Sequence, residues 1–255
     1  MADEPVLTER REGVLVITLN RPEARNAVNR AAAEGIAAAL DELDGDDGLR
    51  AGVITGAGGT FSAGMDLKAF VTGERPHVEG RGSAGIVQGP PDKPLVAAVE
   101  GYAVALGLEI VLSCDLVAAA RDARFGLPEA KRSLVAVAGG LIRLPRRIPY
   151  AVAMELALTG DFVEAPRAYE LGLVNRLTEP GGALDAALEL AGTIARNGPL
   201  AVDASKRIVR GALEWSEEEA WERQGEIAGP VFTSEDAREG ATAFAEKRDP
   251  VWKGR

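Results

Sequence analysis

Hydrophobic residues in the first half of the chain form short apolar runs, which are separated by glycine-rich turns and helix-like stretches. The run at 13–19, which is rich in β-branched residues, and the apolar runs at 51–55, 94–101 and 116–122 predict buried strands. Ala and Leu recur at helical spacing over 29–45, which predicts a helix between the first two strands. Because apolar strands alternate with helices, the pattern predicts an α/β fold whose strands are covered on both faces.

The last third of the chain is predicted to be mainly helical. Helix starts are expected near Ala165, Ser216 and Ser234, and Ser216 with Glu219 fits a capping box. Earlier in the chain, the segment 72–94 is rich in glycine and proline. A long segment of this composition is typical of a mobile loop or of a lid over a site.

Composition narrows the class of protein. The chain has 255 residues, 46% of them hydrophobic, which allows a sizeable core. A formal net charge of −10 argues against a nucleic-acid partner, which needs a basic surface. The single cysteine excludes an intrachain disulfide, and the single histidine disfavours a histidine-based metal site. No apolar run reaches the roughly 18 residues of a membrane span, and the charged N-terminus lacks a secretion signal, so we expect a cytoplasmic protein.

Two glycine-rich turns stand directly before predicted helices, FSAGMDL at 61–67 and AVALGLE at 103–109. The first amides of a helix have no acceptor within the helix, and the helix dipole adds positive potential there. Two such turns can converge on one oxygen and form an oxyanion hole. The alternative interpretation is that each glycine only permits a tight turn.

Two acids lie in surroundings that suit chemistry. Glu109 sits in an apolar run, and Glu129 follows twenty residues later in FGLPEAK. Apolar neighbours make a carboxyl easier to protonate, and two nearby acids titrate as a coupled pair. Such a pair can move protons to and from a bound water. Alternatively, Glu109 lies on the polar edge of an amphipathic helix, and Glu129 is a surface acid after a helix-starting proline.

Five segments together resemble the crotonase, or enoyl-CoA hydratase/isomerase, superfamily, in the family's order and spacing from about Val14 to Arg255. They read LNRPEARNAVN, VITGAGGTFSAGMDLKAF, KPLVAAVEGYAVALGLEI, CDLVAAARDARFGLPEAKRS and SEDAREGATAFAEKRDPVWKGR. The resemblance implies an α/β spiral of repeated ββα units over 1–195. It also implies a helical region over 196–255 that packs homo-trimers or hexamers, and a metal-free site for an acyl-CoA thioester, with no separate cofactor.

The same resemblance assigns roles to residues. The oxyanion amides would belong to Met65 and Leu106, and the two catalytic glutamates of the hydratase branch would be Glu109 and Glu129. Together they imply an enoyl-CoA hydratase that adds water syn across the C2=C3 bond. The residues implied to contact CoA, where each cation could equally be a solvated surface charge, are Arg25, Ala63, Asp66, Leu67, Lys68, Phe244 and Lys247.

One departure from the family pattern concerns the second turn. The family usually has glycine where Leu106 stands, and often where Ala105 stands. Leucine resists a positive φ, so either the backbone at Leu106 is helical or the pocket is narrowed or altered.

The alternatives to a hydratase are a carnitinyl-CoA dehydratase, an enoyl-CoA isomerase, and a CoA-thioester binder with little turnover. We expect the arginine-rich segment 143–149 to form a surface or subunit contact rather than a patch that faces CoA.

Overall fold

The computed structural model describes residues 4–255 of the chain. Within them, strands and helices alternate up to α7 and helices follow to the end. The strands are β1 Val6–Arg11, β2 Val14–Leu19, β3 Ala51–Gly56, β4 His77–Val78, β5 Gly82–Ser83, β6 Leu95–Val99, β7 Tyr102–Val104, β8 Leu116–Ala120, β9 Arg124–Gly126, β10 Phe162–Glu164 and β11 Arg176–Thr178. The helices are α1 Arg30–Gly45, α2 Leu67–Val71, α3 Leu106–Val111, α4 Gly140–Arg147, α5 Tyr150–Thr159, α6 Ala165–Glu170, α7 Ala183–Ala195, α8 Pro199–Gly211, α9 Glu217–Phe232 and α10 Glu235–Glu246.

From β6 to β9, consecutive strands alternate between two sheets. A six-stranded sheet has the order β1-β2-β3-β6-β8-β11 and is parallel except for the β1–β2 pair. A second sheet has the order β10-β9-β7, in which β7 and β9 are parallel. The chain passes from β6 in the large sheet to β7 in the small sheet and then into α3. It likewise passes from β8 to β9, which is followed by the 3₁₀ turn Pro128–Arg132 and then α4. This repetition is a spiral of ββα units and confirms the predicted α/β fold.

The alternating side chains of the large sheet supply two apolar layers. One face, including Leu15, Ile17 and Ile54, packs with α1, α3 and the small sheet in the main core. The other face packs against the alanine-rich side of α7, where Ala183 and Ala187 are fully buried. Because the sheet is covered on both faces, its central strands read as continuous apolar runs.

Strand β1 and the β4–β5 hairpin were not predicted from the pattern of apolar residues. In β1 only Val6 is buried and the other five residues are exposed, so the strand has no apolar run to reveal it. The prediction of a mobile loop or lid over 72–94 is wrong for its central part. That part contains the β4–β5 hairpin, and Ala84 and Ile86 are fully buried in the core. Gly85 lies so close to α1 that a Cβ would come within 2.1 Å of the Ala33 carbonyl oxygen.

The helical end of the chain follows its sequence signals. Ser216 Oγ accepts from the Glu219 amide (3.3 Å), and the Glu219 carboxylate accepts from the Ser216 amide (3.0 Å), which confirms the capping box. A helix begins at Ala165, and Ser234 caps α10. The division of the chain at 195/196 stays a prediction. None of the helices in residues 4–255 is long and apolar enough to cross a membrane.

Candidate active site

Two glycine-containing turns meet at the ends of adjacent spiral units. The turn after β3 runs beside β7, because the Ser62 amide donates to Tyr102 O (2.8 Å) and the Val104 amide donates to Ser62 O (3.1 Å). On its other side, Met65 forms a parallel bridge with Val28. The first turn therefore lies against the start of α3, which carries the second turn.

This approach requires glycine at two positions. Gly64 has φ +100°, and a Cβ there would lie 2.8 Å from the Ala105 Cβ and 3.4 Å from the Leu106 nitrogen. At Gly107, a Cβ would come within 2.5 Å of the Ser62 carbonyl oxygen. A side chain at either position would push the turns apart, so the glycines set the distance between them.

The two amides predicted for an oxyanion hole have no protein acceptor within residues 4–255. The Gly64 carbonyl accepts from Val28 and the Asp66 amide donates to Val28, which leaves the Met65 N–H between these two bonds free. Leu106 is the first residue of α3, so its N–H has no intrahelical acceptor. Two unused donors on touching turns can bind one oxygen.

Leu106 does not need the backbone conformation that leucine resists. It is helical, its side chain is 5% exposed and packs in the main core. The positive φ lies one residue earlier, at Ala105, with φ +53° and ψ −128°. This region favours glycine, and alanine there stores strain on the order of 1–3 kcal/mol. The first of the two alternatives for Leu106, a helical backbone, is therefore the one that the structure shows.

Glu109 is held by the N-terminus of another helix. Its side chain projects from α3, is 3% exposed, and its Oε1 accepts from the Gly140 amide at the start of α4 (2.9 Å). The Ala138 amide also stabilises the carboxylate. Burial, with a contribution from the charge of Glu129, raises the pKa of Glu109 to about 7. The group can therefore gain or lose a proton near neutral pH.

Glu129 lies in the 3₁₀ turn Pro128–Arg132, directly after β9. Its Oε2 is buried and has no hydrogen-bond partner in the part of the chain that the structure describes. Burial raises the pKa of this carboxyl as well. A buried carboxyl oxygen without a partner is costly unless a ligand or water completes it. The charge of Glu129 contributes to the raised pKa of Glu109, which indicates that the fold brings the two predicted acids into one region.

A cavity of about 380 Å³ opens beside Glu129. Its walls come from the 3₁₀ turn, the segment before α4, and the facing sides of α4 and α5. The lining residues are Leu127, Glu129, Ala130, Leu134, Val135, Ala136, Leu141, Leu144, Pro145, Tyr150, Ala153, Met154, Ala157 and Leu158.

Arg143 is a residue of the site that the sequence did not assign. It donates to Ser113 Oγ (2.8 Å) and to Val87 O (2.6 Å), and Ser113 Oγ in turn donates to the Glu109 carbonyl (2.8 Å). Arg147 donates to the Cys114 carbonyl at the end of α3. The interpretation of 143–149 as a surface or subunit contact is wrong for these two arginines, because their guanidinium groups bind the Ser113 hydroxyl and the carbonyls of Val87 and Cys114 within the chain.

The residues predicted to contact CoA divide into two groups. Five lie around the first turn, where the Ala63 amide donates to Arg25 O (3.0 Å). Arg25 and Lys68 are exposed and form no ion pair within residues 4–255. The Asp66 side chain is already used, since it caps α2 and pairs with Arg21 (3.0 Å). Leu67 is exposed.

Phe244 and Lys247 lie apart from this turn. They sit at the end of α10, where Phe244 is 88% exposed and Lys247 ends the helix in a left-handed conformation. The main contact that α10 makes with another element is with α9, and Asp236 near its start binds the amides of Lys253 and Gly254. Within one chain, these two positions are therefore not packed against the glutamates.

The fold and the site define a class of protein, an α/β spiral in which two free turn amides lie beside a buried acid and a half-buried one. A sequence profile described as Enoyl-CoA hydratase/isomerase matches residues 9–255. The chain belongs to this family, which is also known as the crotonase family. The family implies an acyl-CoA substrate.

Individual relatives match nearly the whole chain. The enoyl-CoA hydratase EchA19 of Mycobacterium tuberculosis is 44% identical, over 98% of this chain and 96% of that protein. A carnitinyl-CoA dehydratase of Salmonella enteritidis is 42% identical over 95% of each chain. The crystal structure of an enoyl-CoA hydratase from Mycobacterium tuberculosis superposes with a TM-score of 0.97 at 60% identity, covering 99% of this chain and 100% of that one.

Proposed function

We propose that the protein is an enoyl-CoA hydratase, a hydro-lyase that reversibly adds water to a trans-2-enoyl-CoA and gives a 3-hydroxyacyl-CoA. The observation that carries the proposal is the buried Oε2 of Glu129, which has no protein partner within residues 4–255 and lies near Glu109. A water bound to this oxygen lies between the two acids. Hydratases named among the relatives support the same reaction.

The thioester oxygen binds to the amides of Met65 and Leu106. As water attacks C3, electrons move from the C2=C3 bond toward the thioester, and its oxygen becomes enolate-like. Both amides point at this charge before the reaction starts, so no reorganisation is needed. Loss of one such donor typically costs about 3–4 kcal/mol of transition-state stabilisation.

The two carboxyls handle the protons. Both bind the attacking water, and one of them takes a proton from it as the hydroxyl bonds to C3. A proton then goes to C2 from the carboxyl side, which gives syn addition. Glu109 suits this exchange because its pKa of about 7 lies near the working pH. Either acid can be the donor to C2.

Binding of CoA is proposed to involve the first turn and a neighbouring subunit. Arg25 and Lys68 are exposed cations available to the nucleotide phosphates, and the backbone at Ala63, Asp66 and Leu67 borders the pantetheine arm. The exposed Phe244 and Lys247 complete the site of an adjacent copy in a homo-trimer or in a dimer of trimers. Residues 196–255 form the packing region of that assembly.

A carnitinyl-CoA dehydratase is the second candidate, because a relative of that name is 42% identical and this reaction also needs two acids. An enoyl-CoA isomerase shifts a double bond without adding water and does not need both glutamates. A CoA-thioester binder with little turnover would keep the fold and bind the thioester, but its kcat would be very low.

Crotonyl-CoA tests the proposal through the absorbance of its enoyl thioester. We expect rapid loss of the signal, and a fall in kcat of about 10³-fold or more in Glu109→Gln and in Glu129→Gln, with CoA-thioester binding retained by calorimetry. Glu155→Gln, at an exposed position on α5, is the matched control and should match the wild type. Near-normal turnover in either glutamine variant removes that acid from the mechanism.

A further inference from the structure

The cavity beside Glu129 is apolar along almost its whole length. Aliphatic side chains line it from the 3₁₀ turn, α4 and α5, among them Leu141, Met154 and Leu158. Glu129 is the single charged side chain among the described lining residues, and Tyr150 is the single aromatic one. Leu158 and Tyr150 are largely exposed, so the groove opens to solvent at their end.

The groove begins where the reacting carbons are proposed to bind. A Cβ on Gly140 would lie 3.1 Å from the Glu109 carboxyl and 3.1 Å from Leu127, so Glu109 and the groove wall meet at this glycine. Leu127 and the neighbouring Leu141 both line the groove, together with Glu129. A thioester whose C3 faces the water on Glu129 therefore directs its carbons beyond C3 along this wall.

The lining distinguishes between two kinds of acyl tail. An apolar tail replaces water against aliphatic side chains, which is favourable in proportion to the area buried. A quaternary ammonium requires acids or several aromatic faces to replace its hydration. Beyond Glu129, whose free oxygen is assigned to the reacting water, the described lining offers one tyrosine and no further acid.

We infer that this groove is the acyl subsite, that it takes an uncharged apolar tail extending several carbons beyond C3, and that it discriminates against a tail carrying a quaternary ammonium. The inference rests on the proposed hydratase reaction, and it separates the hydratase from the carnitinyl-CoA alternative by the chemistry of the groove.

An isosteric pair of substrates tests the charge. 4-Trimethylammoniobut-2-enoyl-CoA, the dehydrated form of carnitinyl-CoA, and 5,5-dimethylhex-2-enoyl-CoA differ only by N⁺ or C in the branched tail. We expect kcat/KM to favour the uncharged compound by about a hundredfold or more. Equal values, or preference for the cation, overturn the inference.

A groove-filling variant tests the location. In the wild type, each methylene buried in the groove should raise kcat/KM by about fourfold, until association limits the rate. Ala157→Trp places an indole in the groove and should lower the ratio of kcat/KM for trans-2-decenoyl-CoA over crotonyl-CoA by tenfold or more. Ala151→Trp, at an exposed position of α5 outside the lining, is the matched control and should leave both values unchanged. An unchanged ratio in Ala157→Trp shows that the acyl tail does not occupy the groove and overturns the inference. A change only in oligomeric state, measured by light scattering, shows that another copy covers the groove and overturns it as well.

Binding of saturated thioesters separates this inference from the reaction. If crotonyl-CoA is not hydrated, the proposed function fails, whereas the groove is still tested by the dissociation constants of butyryl-CoA and decanoyl-CoA. Tighter binding of decanoyl-CoA that Ala157→Trp abolishes supports the acyl subsite without turnover. Equal binding of the two thioesters by the wild type overturns it. Thermal unfolding of both tryptophan variants shows whether each is folded.

Discussion

The two glutamates occupy contrasting parts of the spiral. Glu109 projects from a helix inside the core, and its carboxyl is fixed by the Gly140 amide at the start of α4. Glu129 lies in a 3₁₀ turn at the inner end of the groove, and its buried Oε2 has no partner within residues 4–255. The first acid is oriented by the protein, and the second keeps an oxygen available for a ligand.

This difference indicates how the site divides positioning from binding. A carboxyl that accepts hydrogen bonds from backbone amides cannot rotate freely, so its other oxygen points in a fixed direction. An acid with an unused oxygen needs a water or substrate to satisfy it. The cost of desolvation falls on both groups, and the amides at Gly140 and Ala138 offset part of it for Glu109. Changes that alter one region and spare the other therefore test the contrast.

The largest expected effect beyond the loss of turnover is on stability. Glu109 is neutral in both states below its unfolded pKa of 4.5, and between pH 4.5 and 7 only the unfolded chain releases the proton. The stabilisation present below pH 4.5 is therefore lost as pH rises through 7, by about 3 kcal/mol. Glu109→Gln cannot ionise, so its stability relative to the wild type should rise by about this amount from pH 4 to pH 8.

Urea unfolding at the two pH values measures this difference, because the titrating groups that do not interact with Glu109 contribute equally to both proteins. Glu155→Gln, which is exposed, provides the control and should show no comparable change. A pH-independent difference between Glu109→Gln and the wild type would mean that Glu109 titrates in the folded protein as it does in the unfolded chain.

A smaller effect is expected from the contact that orients Glu109. In Gly140→Ala, the new Cβ would lie 3.1 Å from the Glu109 Oε1 and must displace the carboxyl or α4 by a few tenths of an ångström. We expect kcat to fall by about 10–100-fold, because small misplacements of catalytic groups are costly. Gly45→Ala, at the end of α1, is the matched control, since nothing lies within 4 Å of its Cβ, and it should keep full activity. Equal activities of the two variants would show that the α4 contact does not position the acid.

The smallest effect is a shift of the pH–rate profile. The positive charge of Arg143 lowers the pKa of Glu109, so Arg143→Met should raise that pKa and move the Glu109 limb of the profile to higher pH. Arg143→Lys keeps the charge and should return the limb toward its wild-type position. A lower rate at every pH, without a displaced limb, would assign Arg143 to packing alone.

Sequence reasoning could predict much of this site, but only where the signal is local or carried by the family. The apolar strands, the Ser216 cap and the register of Glu109 and Glu129 were all available from the printed residues. The α4 contact to Glu109 was not, because Gly140 lies 31 residues away in sequence and its amide carries no side-chain signal.

Other features were missed because their pattern resembles a different element. Strand β1 alternates poorly and reads as a charged terminus, while the glycine-rich segment around Gly85 reads as a loop although its glycine serves close packing on α1. Arg143 looks like a surface cation, and only the fold shows the buried Ser113 and Val87 groups that it binds. Long-range contacts of this kind cannot be inferred from spacing alone.

The helical placement of Leu106 has a consequence for tracing distant members of the family. The side chain packs in the main core while the N–H has no acceptor within the helix, so packing rather than the reaction determines which side chain fits at this position. Homologues can therefore exchange glycine for a large aliphatic residue here through ordinary drift. A search pattern that insists on glycine would overlook enzymes that have kept the chemistry.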